Sequence, residues 1–134
     1  MLKVVAALIE CEGRLLVCQR RRGDSFALKW EFPGGKLRPG ETPAEGLTRE
    51  LHEELGVAAK VGREVYRTRH RYRELAEEIE LIFLQTSVDS AAVQNLAFEQ
   101  VLWATRAELP ALDFLPADRE LIEKLASGTL QLRS

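Results

Sequence analysis

Thr42-Pro43-Ala44-Glu45-Gly46-Leu47-Thr48-Arg49-Glu50-Leu51-His52-Glu53-Glu54-Leu55-Gly56 carries the strongest helix signals in this chain of 134 residues. Thr42 is a good N-cap, Pro43 suits the first helical position, and Glu45, three residues past Thr42, completes a capping box. Leu47, Leu51 and Leu55 recur every four residues and form one apolar stripe, and Gly56 can end the helix in a left-handed conformation. The spacing predicts a helix over Pro43–Leu55.

On its N-terminal side, residues 3–10 and 14–20 are apolar, β-prone runs joined by Cys11-Glu12-Gly13, which predicts a hairpin. A polar loop, Arg20-Arg21-Arg22-Gly23-Asp24, precedes a short strand, Trp30-Glu31-Phe32. Pro33-Gly34-Gly35 is then expected not to continue a regular element. Beyond the helix, residues 60–70 and 77–88 read as strands. In the second, Ile79, Leu81 and Phe83 alternate with Ile82 and Leu84, which predicts burial on both faces. A strand near residues 98–104, a helical turn over 106–109 and a C-terminal helix over 118–125 complete the order. No repeat or low-complexity tract interrupts it. The expectation is one mixed α/β (α+β) domain, residues 1–134, with helices covering a sheet.

Composition narrows the class of partner. With 19 basic and 21 acidic residues, net −2, no general field attracts polymeric nucleic acid or an anionic membrane. Cys11 and Cys18 match no metal or redox spacing and read as small buried hydrophobes. The first residues lack a basic leader region and read as a strand, so the default expectation is a cytoplasmic, reducing location.

Glu50, Glu53 and Glu54 share one helix face, where like charges repel unless a cation compensates. Such hard oxygen ligands suit Mg²⁺, with Mn²⁺ as the alternative ion. A solvated face with Glu45–Arg49 and Arg49–Glu53 ion pairs would account for the acidic helix taken alone. Its neighbours favour the cation. Gly34-Gly35 can bring bare backbone close to a ligand, Lys36 can neutralise a phosphate oxygen, and Glu41 stands at the mouth of the helix.

The whole run resembles the Nudix box: Gly35, Glu41, then Arg49-Glu50-Leu51-His52-Glu53-Glu54-Leu55-Gly56-Val57 at that family's spacing. The resemblance implies a Nudix-type α/β/α sandwich, with a mixed central sheet, a catalytic loop–helix unit and a C-terminal helix. It implies hydrolysis of a phosphoanhydride bond in a nucleoside diphosphate linked to another group. The implied metal ligands are Glu50, Glu53, Glu54 and the carbonyl of Gly34 or Gly35. Arg49 would orient a carboxylate of the cluster, and Glu41 would support the cluster from behind. Glu50 is the candidate general base, with Glu53 and Glu99 as alternatives. Glu99 is also the only acidic candidate for a distal metal ligand ahead of Trp103, although Ala97 falls nearer the family's usual position.

Further segments are similar to the MutT-type branch. These are Trp30 to Lys36, the strand Leu15-Leu16-Val17-Cys18-Gln19-Arg20, whose arginine would contact the nucleotide, and Leu115-Pro116-Ala117-Asp118. The MutT type carries asparagine where this chain has Asp118, whereas the CTP-pyrophosphohydrolase-like members resemble it in having Pro-Ala-Asp. Ionised aspartate only accepts hydrogen bonds and suits an exocyclic amino group, while a protonated one imitates asparagine. Asp118 as a plain helix N-cap stands equally open. His70 and Tyr72, in the stretch Arg67 to Arg73, border the phosphate or sugar or else lie on a solvated strand edge; Phe26 or Phe114 could flank a base. His52 is expected to take no catalytic part.

The implied reaction is nucleoside triphosphate to monophosphate plus pyrophosphate, in nucleotide-pool sanitation. The substrate is a (d)CTP-type nucleotide or an oxidised one such as 8-oxo-dGTP. The alternatives are hydrolysis of nucleotide sugars or dinucleoside polyphosphates, and a non-catalytic nucleotide-sensing module. A monomer or homodimer is expected.

Overall fold

Two strands run through the middle of the molecule because their sequences are apolar on both faces. In β1 (Leu2–Cys11), Val5, Ala7 and Ile9 enter one core while Ala6 and Leu8 enter another. In β6 (Ile79–Val88), Ile82 and Leu84 join the first core and Leu81 and Phe83 the second, as the alternation predicts. The two strands pair in parallel from Leu2↔Ile79 to Ile9↔Thr86. A parallel pair buried on both sides needs a layer above and a layer below. The computed structural model describes residues 1–133, so the last position of the expected 1–134 span lies outside the described residues.

The first layer is α1 (Pro43–Leu55), with the predicted bounds. Thr42 accepts a hydrogen bond from the Glu45 N–H, the Glu45 carboxylate accepts one from the Thr42 N–H, and Gly56 closes the helix at φ 63°. Leu47, Leu51 and Leu55 are fully buried against the sheet. The opposite layer holds a 3₁₀ turn at Arg106–Ala111, a second at Pro116–Asp118, and α2 (Arg119–Ser127), whose Leu121, Ile122 and Leu125 cover the second core.

Between them the sheet is mixed. β2 (Arg14–Gln19) pairs antiparallel with β1 across a two-residue turn. Glu12 and Gly13 both have positive φ there, so Cys11 belongs to the strand and not to the turn. β2 also carries β3 (Trp30–Glu31) and β7 (Gln100–Thr105), both antiparallel. β5 (Ala59–His70) pairs antiparallel with β6. The outcome is the expected α/β/α sandwich.

Most element ends shift by one or two residues from the sequence reading, and three of the differences fall near residues expected at the site. The expected strand 98–104 begins at Gln100, and the last helix is split into the Pro116–Asp118 turn followed by α2. The third difference shapes the site. Gly34–Lys36 forms a strand, β4, antiparallel to β1, where the glycines were expected to end regular structure. A side chain on Gly34 would collide with the Val5 carbonyl, so glycine here permits the pairing.

Candidate active site

The pairing of β4 with β1 decides which backbone groups are free. The Ala7 N–H bonds the Pro33 carbonyl (2.8 Å) and the Leu37 N–H bonds the Lys3 carbonyl (3.0 Å). Alternation along an antiparallel ladder then makes Val5 and Gly35 a hydrogen-bonded pair. Gly34 faces the other way, and its N–H reaches Glu54 Oε1 on α1 (3.2 Å). Between Gly34 and Gly35, only Gly34 has its carbonyl free of the ladder.

Arg49 organises the carboxylates around this point. Its Nε and Nη2 donate to the two oxygens of Glu41 (2.7 and 2.9 Å), and Nη1 donates to Glu50 (2.9 Å) and more distantly to Glu53 (3.5 Å). Nη2 also donates to the Lys36 carbonyl (3.2 Å), which ties the helix to the loop. The Arg49 bonds and the Arg38 N–H hold the Glu41 carboxyl down at about 2, and Glu41 and Glu50 keep the Arg49 guanidinium charged. Glu41 thus fixes the arginine that fixes Glu50. Glu50 lies against Gly35, where a Cβ would stand 2.5 Å from its carboxyl carbon.

Glu54 is placed differently. Burial, then the charges of Glu50, Glu31 and Glu53, push its carboxyl up to about 8, against the opposing Gly34 N–H. Glu31 enters by way of β3. It is largely buried, paired with Arg20 Nη1 (3.1 Å), and raised by its burial. Its charge bears on Glu54 and also on Asp118. The Cys18 thiol beside them is buried and raised, first by burial and then by Glu31 and Glu54, so it stays protonated.

Glu50, Glu54, Glu31, Arg20 and Asp118 line one cavity of about 380 Å³, within the range of small-molecule sites, while Arg49, Glu41 and Cys18 are not part of its lining. One part of its wall holds Gly34, Gly35, Lys36, Glu50 and Glu54; another holds Phe26, Tyr72, Leu115 and Asp118; Arg20 and Glu31 belong to the same wall. Phe32, Leu81 and Ile79 add an apolar surface.

Among the described residues, no three carboxylate, imidazole or thiol groups form a ready-made metal cage. Arg49 and Gly34 hold the glutamates apart. The donor set nevertheless fits a hard cation of the Mg²⁺ kind, which takes one or two carboxylates and completes its shell with water and phosphate oxygens. Glu31, Glu50, Glu54 and Asp118 face only Arg20 and Lys36 in the wall, so a polyanion needs added positive charge to enter.

Several expected residues fall elsewhere. Glu53 is 49% exposed, does not line the cavity, and reaches toward Arg49 and Arg38. Glu99 is exposed and also absent from the wall; its backbone N–H is spent on Gln19. Phe114 is core, packed on Phe32 at 5.5 Å, whereas Phe26 does line the cavity. Asp118 is 2% exposed, has a helical backbone, and makes no side-chain cap bond, so the N-cap reading falls. Tyr72 does line the cavity, while His70, named with it, does not; Glu31 is the charged cavity residue that sequence reasoning passed over. The one available signal for Glu31 was an acid flanked by two aromatics in an apolar strand.

The sequence model of the NUDIX domain matches residues 1–125. The chain is 35% identical over 123 residues to the CTP pyrophosphohydrolase of Escherichia coli K12, covering 92% of this chain and 90% of that protein. It is 33% identical over 130 residues to an 8-oxo-dGTP diphosphatase of Haemophilus influenzae, covering 96% and 94%. The solution structure of the E. coli ORF135 protein superposes with a TM-score of 0.80 at 33% identity, covering 95% and 89%.

Proposed function

The chain belongs to the NUDIX domain family, and on that premise we propose that it hydrolyses nucleoside triphosphates to monophosphate and pyrophosphate with Mg²⁺ as cofactor. The observation that carries this reading is a single cavity lined both by the Gly34 carbonyl region with Glu50 and Glu54 and by Asp118 with two aromatic rings. Glu50, Glu54 and the Gly34 carbonyl are the ligands, with Glu53 as an outer carboxylate. Glu99 is not needed for this set. A divalent cation supplies charge neutralisation at the phosphates and activation of the attacking water.

The chain's own groups do the rest. Lys36 and Arg20 meet phosphate oxygens, Arg20 after exchanging its bond to Glu31. Glu50, aimed by Arg49, accepts the water proton as the oxygen joins phosphorus, the bridging P–O bond breaks and pyrophosphate leaves. The relatives named for CTP and 8-oxo-dGTP support a base-reading site of this kind.

Asp118 separates the two base readings. Ionised, it accepts from a cytosine amino group, and this reading is placed first because of Pro116-Ala117-Asp118. Its burial, followed by the charge of Glu31, raises its carboxyl well above the usual range and favours the protonated form. That form donates and accepts as asparagine does, which supports an oxidised guanine edge as the second reading.

A panel of canonical, oxidised and methylated nucleoside triphosphates with Mg²⁺ tests the proposal, with ADP-ribose and diadenosine polyphosphates included. Triphosphates should yield monophosphate and pyrophosphate. Turnover of ADP-ribose or the dinucleotides alone would move the chain to the alternative substrate class. Asp118→Asn should shift the cytosine-to-guanine preference by roughly tenfold, the worth of one base-edge contact. An unchanged preference would remove Asp118 from base readout.

A further inference from the structure

Tyr72 lies just past β5 between Arg71 and Arg73, yet it is only 8% exposed. Its position is fixed from three sides. Its hydroxyl oxygen accepts the Ala117 N–H (3.1 Å), across 45 positions of sequence. Its ring meets Phe26 at 4.7 Å between centroids and His70 at 4.4 Å, both tilted by a little over 50°. These are separations at which aromatic rings attract each other.

Two of these contacts, those to Ala117 and Phe26, lead to different segments of the cavity wall. Ala117 precedes Asp118 in the Pro116–Asp118 turn, and that turn has no side-chain cap bond of its own. Phe26 sits in the loop after β2, which is closed by Arg20 Nε on the Ser25 carbonyl (2.7 Å) and by the Leu28 N–H on the Arg20 carbonyl (3.1 Å). Phe26 and Leu28 hold φ of 54° and 63°, a left-handed conformation costly for bulky side chains. The loop keeps that strain while directing Phe26 onto Tyr72.

We propose that Tyr72 is the positioning residue of the base-reading part of the cavity, holding the Asp118 turn and the Phe26 wall at a fixed separation. This rests on the nucleotide reading of the same cavity. The bond to Ala117 sets where the Asp118 carboxyl stands, and the ring contact sets how far the opposite wall stands from it. A planar base fits between them only while both are kept. The hydroxyl, with its acceptor position taken by Ala117, still has its own proton to offer a ligand.

Tyr72→Phe keeps the ring and removes only the oxygen. In Mg²⁺-dependent steady-state kinetics, the KM for dCTP should rise about tenfold, the effect of one misplaced hydrogen bond, with kcat within about twofold. The loss should be about tenfold larger for dCTP than for an abasic deoxyribose triphosphate. Placed in an Asp118→Asn background, Tyr72→Phe should add far less than it does alone, because both changes act through one contact. Equal losses on dCTP and the abasic compound, full additivity, or no change would each overturn the proposal; thermal unfolding of each variant verifies the fold. A wild-type chain that turns over no nucleoside triphosphate defeats the hydrolase reading instead. Tyr72 is then decided by calorimetry: Tyr72→Phe must weaken CMP binding more than pyrophosphate binding, and equal weakening overturns it.

Discussion

Glu54→Gln should lose most of its hydrolytic activity and make the metal-free protein more stable than wild type at pH 8. Both effects come from the same burial. Glu54 is held between the Gly34 N–H and three other carboxylates, and its carboxyl is pushed up to about 8 from an ordinary value of 4.5. Between those two values the folded chain retains a proton that the unfolded chain has released. Stability is therefore full below about pH 4.5 and falls as pH rises toward 8, by up to about 1.4 kcal/mol per pH unit. Glutamine has no charge to bury, so its pH–stability curve is flatter over that window. Mg²⁺ reverses the wild-type trend by taking the place of the proton, and its stabilisation grows with pH. Turnover in Glu54→Gln should fall by about 10²–10³-fold, as for other groups placed against developing charge. Melting curves across pH with EDTA or millimolar Mg²⁺, together with a turnover assay, decide the matter. Undiminished hydrolysis would exclude Glu54 as a ligand, and parallel pH curves in EDTA would refute the raised carboxyl.

The part of this site visible in the sequence is the part built from local interactions. The capping box of Thr42 and Glu45, the leucine stripe and Gly56 all act within one helix, and that helix appears with its predicted ends. The same periodicity puts Glu50 and Glu54 where a loop can meet them. Residues whose role depends on distant pairing were not legible. Glu31 faces the cavity because β3 pairs with β2, which sets Cys18 opposite it and brings the Arg20 side chain, two residues on, to its carboxylate. Tyr72 could be named from its stretch only as a residue bordering the site or lying on a solvated edge; its place in the wall comes from a bond to Ala117 and a ring contact to Phe26, neither of which leaves a local pattern. Asp118 shows the reverse. Its place before a helix suggests an N-cap, but the 3₁₀ turn gives it a helical backbone and turns that role away. Glu53 matched by spacing and Glu99 was only the acidic residue nearest the expected place; both are exposed and outside the cavity wall.

Gly34 and Gly35 are adjacent, yet alanine should damage the protein in two different ways. At Gly34 the added carbon would meet the Val5 carbonyl and the Ala6 Cα, both backbone atoms of a central strand that cannot yield. β4 must then leave β1, so Gly34→Ala should lose the fold's stability along with activity. Overpacking of this kind costs about 1–3 kcal/mol or more, roughly 10 °C in melting temperature for a chain of this size. At Gly35 the carbon would stand 2.5–2.7 Å from the Glu50 carboxylate, the end of a side chain that can swing aside. Gly35→Ala should melt within a few degrees of wild type, because β4 and β1 still pair. The displaced Glu50 loses its aim from Arg49, and turnover should drop by about 10²-fold, in keeping with a catalytic group moved by an ångström. Parallel measurement of melting and turnover separates the two. A Gly34→Ala protein that melts like wild type would refute the strand assignment of Gly34–Lys36. A fully active Gly35→Ala would show that Glu50 need not lie against the loop for the reaction to proceed.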